Sequence, residues 1–142
     1  MTEPHASGLD FIVDRGDWSR GHFEDRPAPA AVSEGQVLFR VDRFAFTANN
    51  ISYAKAGDML RYWDFFPAAE GFGRIPVMGF GDVIESAHPD VTQGQRAFGF
   101  FPMSRYLVIE PSRVGAGGIF DGVAHRQGIA PAYNTYAPTD AD

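Results

Sequence analysis

Val37, Phe39 and Val41 alternate with Leu38, Arg40 and Asp42. This period of two predicts a β-strand with one face on a core. The phase slips after Asp42, because the next large apolar residues are Phe44 and Phe46, and a bulge near Asp42 or Arg43 accounts for the slip. A second run, Arg74 to Pro102, reads as strand, turn, strand. Val83, Glu85 and Ala87 alternate with Asp82, Ile84 and Ser86, and Ala97 to Phe101 restarts an apolar segment. The prolines and glycines of 88–95 make a tight connection between them. Leu9 to Val13 predicts a first edge strand. Arg105 to Glu110 predicts a short strand apolar on both sides, hence covered on both faces, and ended by Pro111.

The remaining segments read as connections. Asp14 to Ala31 is polar, carries two prolines and predicts mainly loop, pinned to the core by Trp18 and Phe23. Thr47 or Asn49 is placed to cap a short helix through Ile51, Tyr53 and Ala54, stopped by Gly57, with a further helical turn over Asp58 to Arg61. Tyr62, Trp63, Phe65 and Phe66 then place four aromatic rings in five positions, too much apolar surface for a free loop. They either cap the end of a barrel or line a pocket. Val114 to Gly122 predicts one weak strand or turn, and Asp121 to Gln127 a helical turn. The ending, IAPAYNTYAPTDAD, reads as a tail or truncated linker. Short strands and frequent turns together predict a mainly β, partly open barrel with short helical turns, organised as a domain over 1–128 and a tail over 129–142.

Composition narrows the function classes. Twelve Lys and Arg against 18 Asp and Glu give a net charge of −6, with no basic run, which argues against nucleic-acid binding through phosphate neutralisation. The absence of cysteine rules out disulfides, thiolate nucleophiles and Cys-ligated zinc, and fits a cytoplasmic protein. No apolar run approaches the roughly 20 residues that span a bilayer, and the first residues lack the pattern of a secretory signal, so no membrane association is expected. The four histidines, His5, His22, His88 and His125, form no HExxH or similar metal motif, and no metal site is expected. The glycines of 71–73 and 115–118 have neither GxGxxG nor GxxxxGK[ST] spacing, and Ser104 has no GxSxG setting. The polar residues best placed for chemistry are Asn49, Asn50 and Tyr53, followed by Tyr62, Trp63 and Asp64. Amides and phenols orient a carbonyl or stabilise charge on oxygen; the structural alternative is a helix cap and packed rings.

Three segments carry a family resemblance. EGQVLFRVDRFAFTANNISYAKAG resembles the first strands and active-site loop of the medium-chain dehydrogenase/reductase superfamily. RIPVMGFGDVIESAHPDVTQGQRAFGFFP and SRYLVIEPSRV resemble its following strands. More narrowly, TANNISYAKAGDMLRYWDFFPA with GFGRIPVMGFGDVIES resembles the family DUF2855. The resemblance implies a GroES-like, partly open β-barrel that serves as the substrate side of a zinc-independent NAD(P)-linked oxidoreductase. Asn49 or Asn50 falls near the superfamily's usual catalytic cysteine and Met78 near its GHE histidine, so zinc catalysis is not implied. The matching cleft candidates are Asn50, Tyr53, Tyr62 and Trp63. No cofactor is expected for this chain alone; NAD(P) is implied only with a Rossmann-like partner domain. The partners to expect are therefore that domain or a second copy, and a small-molecule substrate. The competing reading is a non-enzymatic small barrel that binds a ligand or a protein.

Overall fold

The computed structural model describes residues 5–126 and 131–139. Its main body is a mostly β sheet curled into an open half-barrel with short helical segments. Strands β1 (Gly8–Asp14), β2 (Asp17–Arg26), β3 (Val37–Ala45), β4 (Phe72–Gly73), β5 (Pro76–Ser86), β6 (Arg96–Pro102), β7 (Tyr106–Ile109), β8 (Pro111–Gly115), β9 (Gly118–Asp121) and β10 (Thr135–Pro138) form two sheets. Seven strands run in the order β7-β3-β5-β6-β10-β9-β8, and three in the order β2-β1-β4. All the pairings are antiparallel.

The strongest alternations in the sequence become the central strands. Val37, Leu38 and Phe39 of β3 are all buried, which strict alternation would forbid. A register shift between Leu38 and Phe39 allows it, and a second shift between Val41 and Arg43 is the bulge expected near Asp42. On β5, Val77, Gly79, Gly81 and Val83 point inward. The main core joins Val37, Phe39, Val77, Val83, Phe101, Ile109, Ile119 and Tyr136. Gly99 is required there: a Cβ at this position would stand 2.5 Å from the Tyr136 ring.

Five expectations need correction. Asp14 to Ala31 is not mainly loop, because β2 spans ten residues of it. Nearly every β2 residue is exposed, so the strand shows no buried alternation; it is held by its ladder to β1. Its charges suit an edge strand, where they discourage further pairing. Trp18 packs at the core margin as expected, but Phe23 is 70% exposed, with its ring centroid 5.1 Å from that of Phe11. Strand β7 lies at a sheet edge and buries only Ile109, so two-sided cover is not found. Val114 to Gly122 holds parts of two strands, the β8–β9 hairpin, and Pro111 opens β8 rather than merely ending β7.

The last correction concerns the expected tail. The boundary at 128 and 129 lies outside the described residues, as does Gln127, but 131–138 forms a 3₁₀ turn and β10, inserted between β6 and β9. Tyr136 is fully buried, and its hydroxyl donates to the Phe100 carbonyl at 2.6 Å. Arg126, from the 3₁₀ turn Ala124–Arg126, is 1% exposed and donates to Asp121 Oδ2 and Tyr136 Oη, each at 2.8 Å. Its other nitrogen donates to the Tyr133 carbonyl. A buried guanidinium needs such partners, and they tie the last strand to the barrel. Burial pushes the Tyr136 phenol up to about 12, with Arg126 opposing.

Candidate functional site

Helix α1 (Ala48–Lys55) begins as its sequence dictates. Thr47 is the N-cap: its Oγ1 accepts from the Asn49 amide at 3.3 Å, and Asn50 Oδ1 accepts from the Thr47 amide at 2.7 Å. Asn50 is buried and also donates through Nδ2 to the Pro76 carbonyl at 3.0 Å, pinning α1 to β5. Gly57 does not stop the helix in a left-handed cap. It opens the short helix α2 (Gly57–Leu60), and Arg61, at φ 62°, makes the left-handed turn into the 3₁₀ segment Tyr62–Asp64.

These turns divide the sequence candidates. Trp63 is 2% exposed and sits between two glycines; a Cβ on Gly57 would fall 2.1 Å from its indole and one on Gly73 2.3 Å. It belongs to a packed cluster with Val13, Ala54 and Ile75. Asp64 faces solvent and accepts from Arg61 Nε at 2.9 Å. Asn50 is committed to the cap. Trp63, Asp64 and Asn50 therefore build the scaffold.

Asn49, Tyr53 and Tyr62 are brought together, with a residue the sequence reading missed, Tyr133. Asn49 Nδ2 donates to Tyr53 Oη at 3.0 Å across one helical turn. The Tyr133 phenol interacts electrostatically with those of Tyr53 and Tyr62. Ring centroids lie 4.7 Å apart for Tyr53 and Tyr62, 6.0 Å for Tyr53 and Tyr133, and 5.9 Å for Tyr62 and Tyr133. Phe100 stacks on Tyr133 at 4.5 Å from below, while Phe65, Phe66 and Met78 complete the floor. The four aromatics of 62–66 are thus split: Phe65 and Phe66 are buried beneath the cluster and also line a cavity of about 310 Å³, Trp63 is core, and Tyr62 faces the cluster.

The Asn49 amide nitrogen donates, so the Tyr53 oxygen accepts and its own proton is left to point away from Asn49. The half-buried Tyr62 phenol adds another donor to the group. Burial, with the neighbouring phenols contributing, raises the pKa of Tyr53 and of Tyr133 and keeps both as neutral donors. Phenols grouped in this way are suited to hold a carbonyl or other oxygen acceptor; the group contains no carboxylate or imidazole to take a proton away. Tyr133 was hidden in a proline-bearing, acidic ending, although the spacing of Tyr133 and Tyr136, one half-buried and one buried, was a usable signal.

The histidines lie elsewhere. His125 contacts the Phe65 carbonyl at 3.2 Å, and its neighbour Arg126 is buried in its own ion pair, so the two do not form a phosphate site. Among the described residues, no group of three or more His, Asp or Glu side chains is close enough to share a metal ion. Nor does a glycine-rich loop lead from a strand into a helix there: α1 follows Thr47, whose side chain already occupies its N-terminus. The described residues therefore do not fit a dinucleotide cradle.

The model of the family "Protein of unknown function (DUF2855)" matches residues 44–142. The chain belongs to DUF2855. No curated protein matches it. The DUF2855 match takes in Asn49, Tyr53, Tyr62 and Tyr133, and leaves the β1–β2 hairpin outside it. Among the described residues, no helix is long and apolar enough to cross a membrane.

Proposed function

We propose that this DUF2855 chain is the substrate side of a zinc-independent, NAD(P)-linked oxidoreductase-like protein of the medium-chain dehydrogenase/reductase type, with the half-barrel as a GroES-like domain. The observation that carries this reading is the grouping of Asn49, Tyr53, Tyr133 and Tyr62, in which Asn49 bonds Tyr53 and the phenols offer donors for a carbonyl oxygen. The cluster lies at the surface, with Asn49 exposed and Tyr62 half-buried, so a second domain or partner would supply the facing wall and the nucleotide contacts. A nicotinamide held by that second domain would supply the hydride. Asn49 and the tyrosines hold and polarise the acceptor. The chain alone has no hydride-transfer activity in this reading, and the cytoplasm is its expected compartment.

A non-enzymatic ligand-binding barrel is the second reading. It is favoured by the absence of a free acid or base in the cluster: the nearby Asp64 is tied to Arg61. The test is an NMR titration of the isotope-labelled chain with acetophenone and, separately, ethylbenzene, followed by an NAD(P)H oxidation assay. Ketone-selective shifts at the Asn49 side-chain amide and Tyr62, without turnover, are the expected outcome. Equal shifts with ethylbenzene, or none at these residues, would sink the carbonyl site. Turnover at ordinary enzymatic rates by the chain alone would refute its dependence on a second domain.

A further inference from the structure

On another face of the half-barrel, the two sheets enclose a trough of about 590 Å³. Its walls come from β1 and β2 (Phe11, Trp18, Phe23) and from β3 and α1 (Phe44, Phe46, Ile51). Apolar residues this exposed are unusual side by side: Phe23 is 70%, Phe46 50% and Phe44 42% exposed. None of these rings carries a hydroxyl, and the phenol cluster is not part of the lining.

One charged side chain lines the trough, and it is a cation. In a chain of net charge −6, the lining holds Arg105 and no carboxylate. Arg105 donates through Nη1 to the Ser7 carbonyl, and no described carboxylate pairs with it. Its Nε and second Nη keep the side-on geometry that receives one carboxylate through two parallel hydrogen bonds. A phosphate, with more charge, would call for further cations, and Arg105 is the one cation of the lining.

We propose that this trough binds a carboxylate bearing a medium-length aliphatic chain, with the carboxylate on Arg105 and the chain along Phe11, Trp18, Phe44, Phe46 and Ile51. The volume lies within the usual range for small-molecule sites. A small ligand, rather than a protein, accounts for the combination of a single cation at the rim and an otherwise apolar interior. Five of the 13 lining residues come from the β1–β2 hairpin, outside the matched family region, so ligand selection here is separate from the phenol cluster.

Fluorescence titration of the full chain tests this, read on Trp18 in a Trp63→Phe background, with octanoate, decanoate and decanol below their micelle or solubility limits. Decanoate is expected to saturate the signal and to bind roughly fourfold tighter per added CH₂ than octanoate. It should bind on the order of tenfold tighter than decanol, and Arg105→Gln should remove that preference while leaving decanol unchanged. Arg105→Lys should restore part of it, and Phe46→Ser should weaken both ligands. Should Trp63→Phe fail to fold, NMR shifts at Ile51 and Met103 of the unaltered chain give the same comparison. Equal binding of decanoate and decanol, an unaffected Arg105→Gln variant, or no saturable binding would overturn the proposal. So would a ligand-free dimer, seen by sedimentation, that buries Phe44 and Phe46.

Discussion

The phenol cluster and the trough are both aromatic, and they solve opposite problems. In the cluster, Tyr53, Tyr62 and Tyr133 lie over Phe65 and Phe100, and the Tyr53 hydroxyl accepts from Asn49. In the trough, Phe11, Phe23, Phe44 and Phe46 offer bare rings, and Arg105 is the sole charged side chain in the lining. The first is organised by its grouped polar donors. The second is organised by area, and its single charge selects an end rather than an orientation. Aromatic content by itself therefore says little. Hydroxyls, their order, and what lies beneath the rings decide what each region can receive.

Removing Arg126 should break this comparison most severely. Arg126→Ala leaves the Asp121 carboxylate, 4% exposed, without its cation and frees the Tyr133 carbonyl. Loss of one partner of a buried ion pair costs about 3–5 kcal/mol. Urea denaturation should show that loss, and any folded fraction should lose ketone binding while keeping decanoate. Trp63→Ala comes next. It empties the space between Gly57 and Gly73 at a cost of about 3–5 kcal/mol, toward the lower end where neighbours collapse. In the fraction that remains folded, ketone affinity should be unchanged, because Trp63 supports the turn without facing the cluster.

A smaller effect separates the regions by pH. Burial opposes the charge on Asp10, but the Ser104 hydroxyl, Arg74 and Arg26 outweigh it and hold its carboxyl below the usual range. Arg74 Nη2 lies 2.7 Å from it and Arg26 Nε 3.0 Å. The folded pKa is depressed, so this stabilisation is present above the unfolded value near 3.9 and is lost as pH falls through the folded one. The stability of the wild type should drop below about pH 4, and Asp10→Asn should flatten that limb. Since Asp10 sits on β1, the trough side should loosen first, seen as earlier hydrogen exchange in β1 and β2 than in β6. The smallest effect belongs to Asp64→Asn. Its exposed pair with Arg61 is worth less than about 1 kcal/mol, and neither site should change.

How legible these regions were depended on what each residue packs against. The β3 alternation and its bulge could be read because one face is buried and the other is not. Thr47 could be read as a cap because capping is local chemistry. The strand β2 could not, since an exposed edge strand has no buried face to set a period. The ending was misread for a different reason. Tyr136 is buried by Gly99, Arg126 and Asp121, partners distant in sequence or otherwise ordinary, and no local pattern announces them. Among the site candidates, Asn49, Tyr53 and Tyr62 were legible as polar groups beside an apolar run. That Asn50, Trp63 and Asp64 serve the scaffold depended on contacts at Pro76, Gly73 and Arg61.

The most direct test of the carbonyl site is the stretching frequency of the carbonyl itself. Isotope-edited infrared spectra of ¹³C=O acetophenone bound to the chain should show the band moved to lower wavenumber than in water. Tyr62→Phe should abolish the displacement, and Asn49→Ala, which removes the donor to Tyr53, should reduce it. A band at the aqueous position in the unaltered protein, or one equally displaced in Tyr62→Phe, would contradict the account.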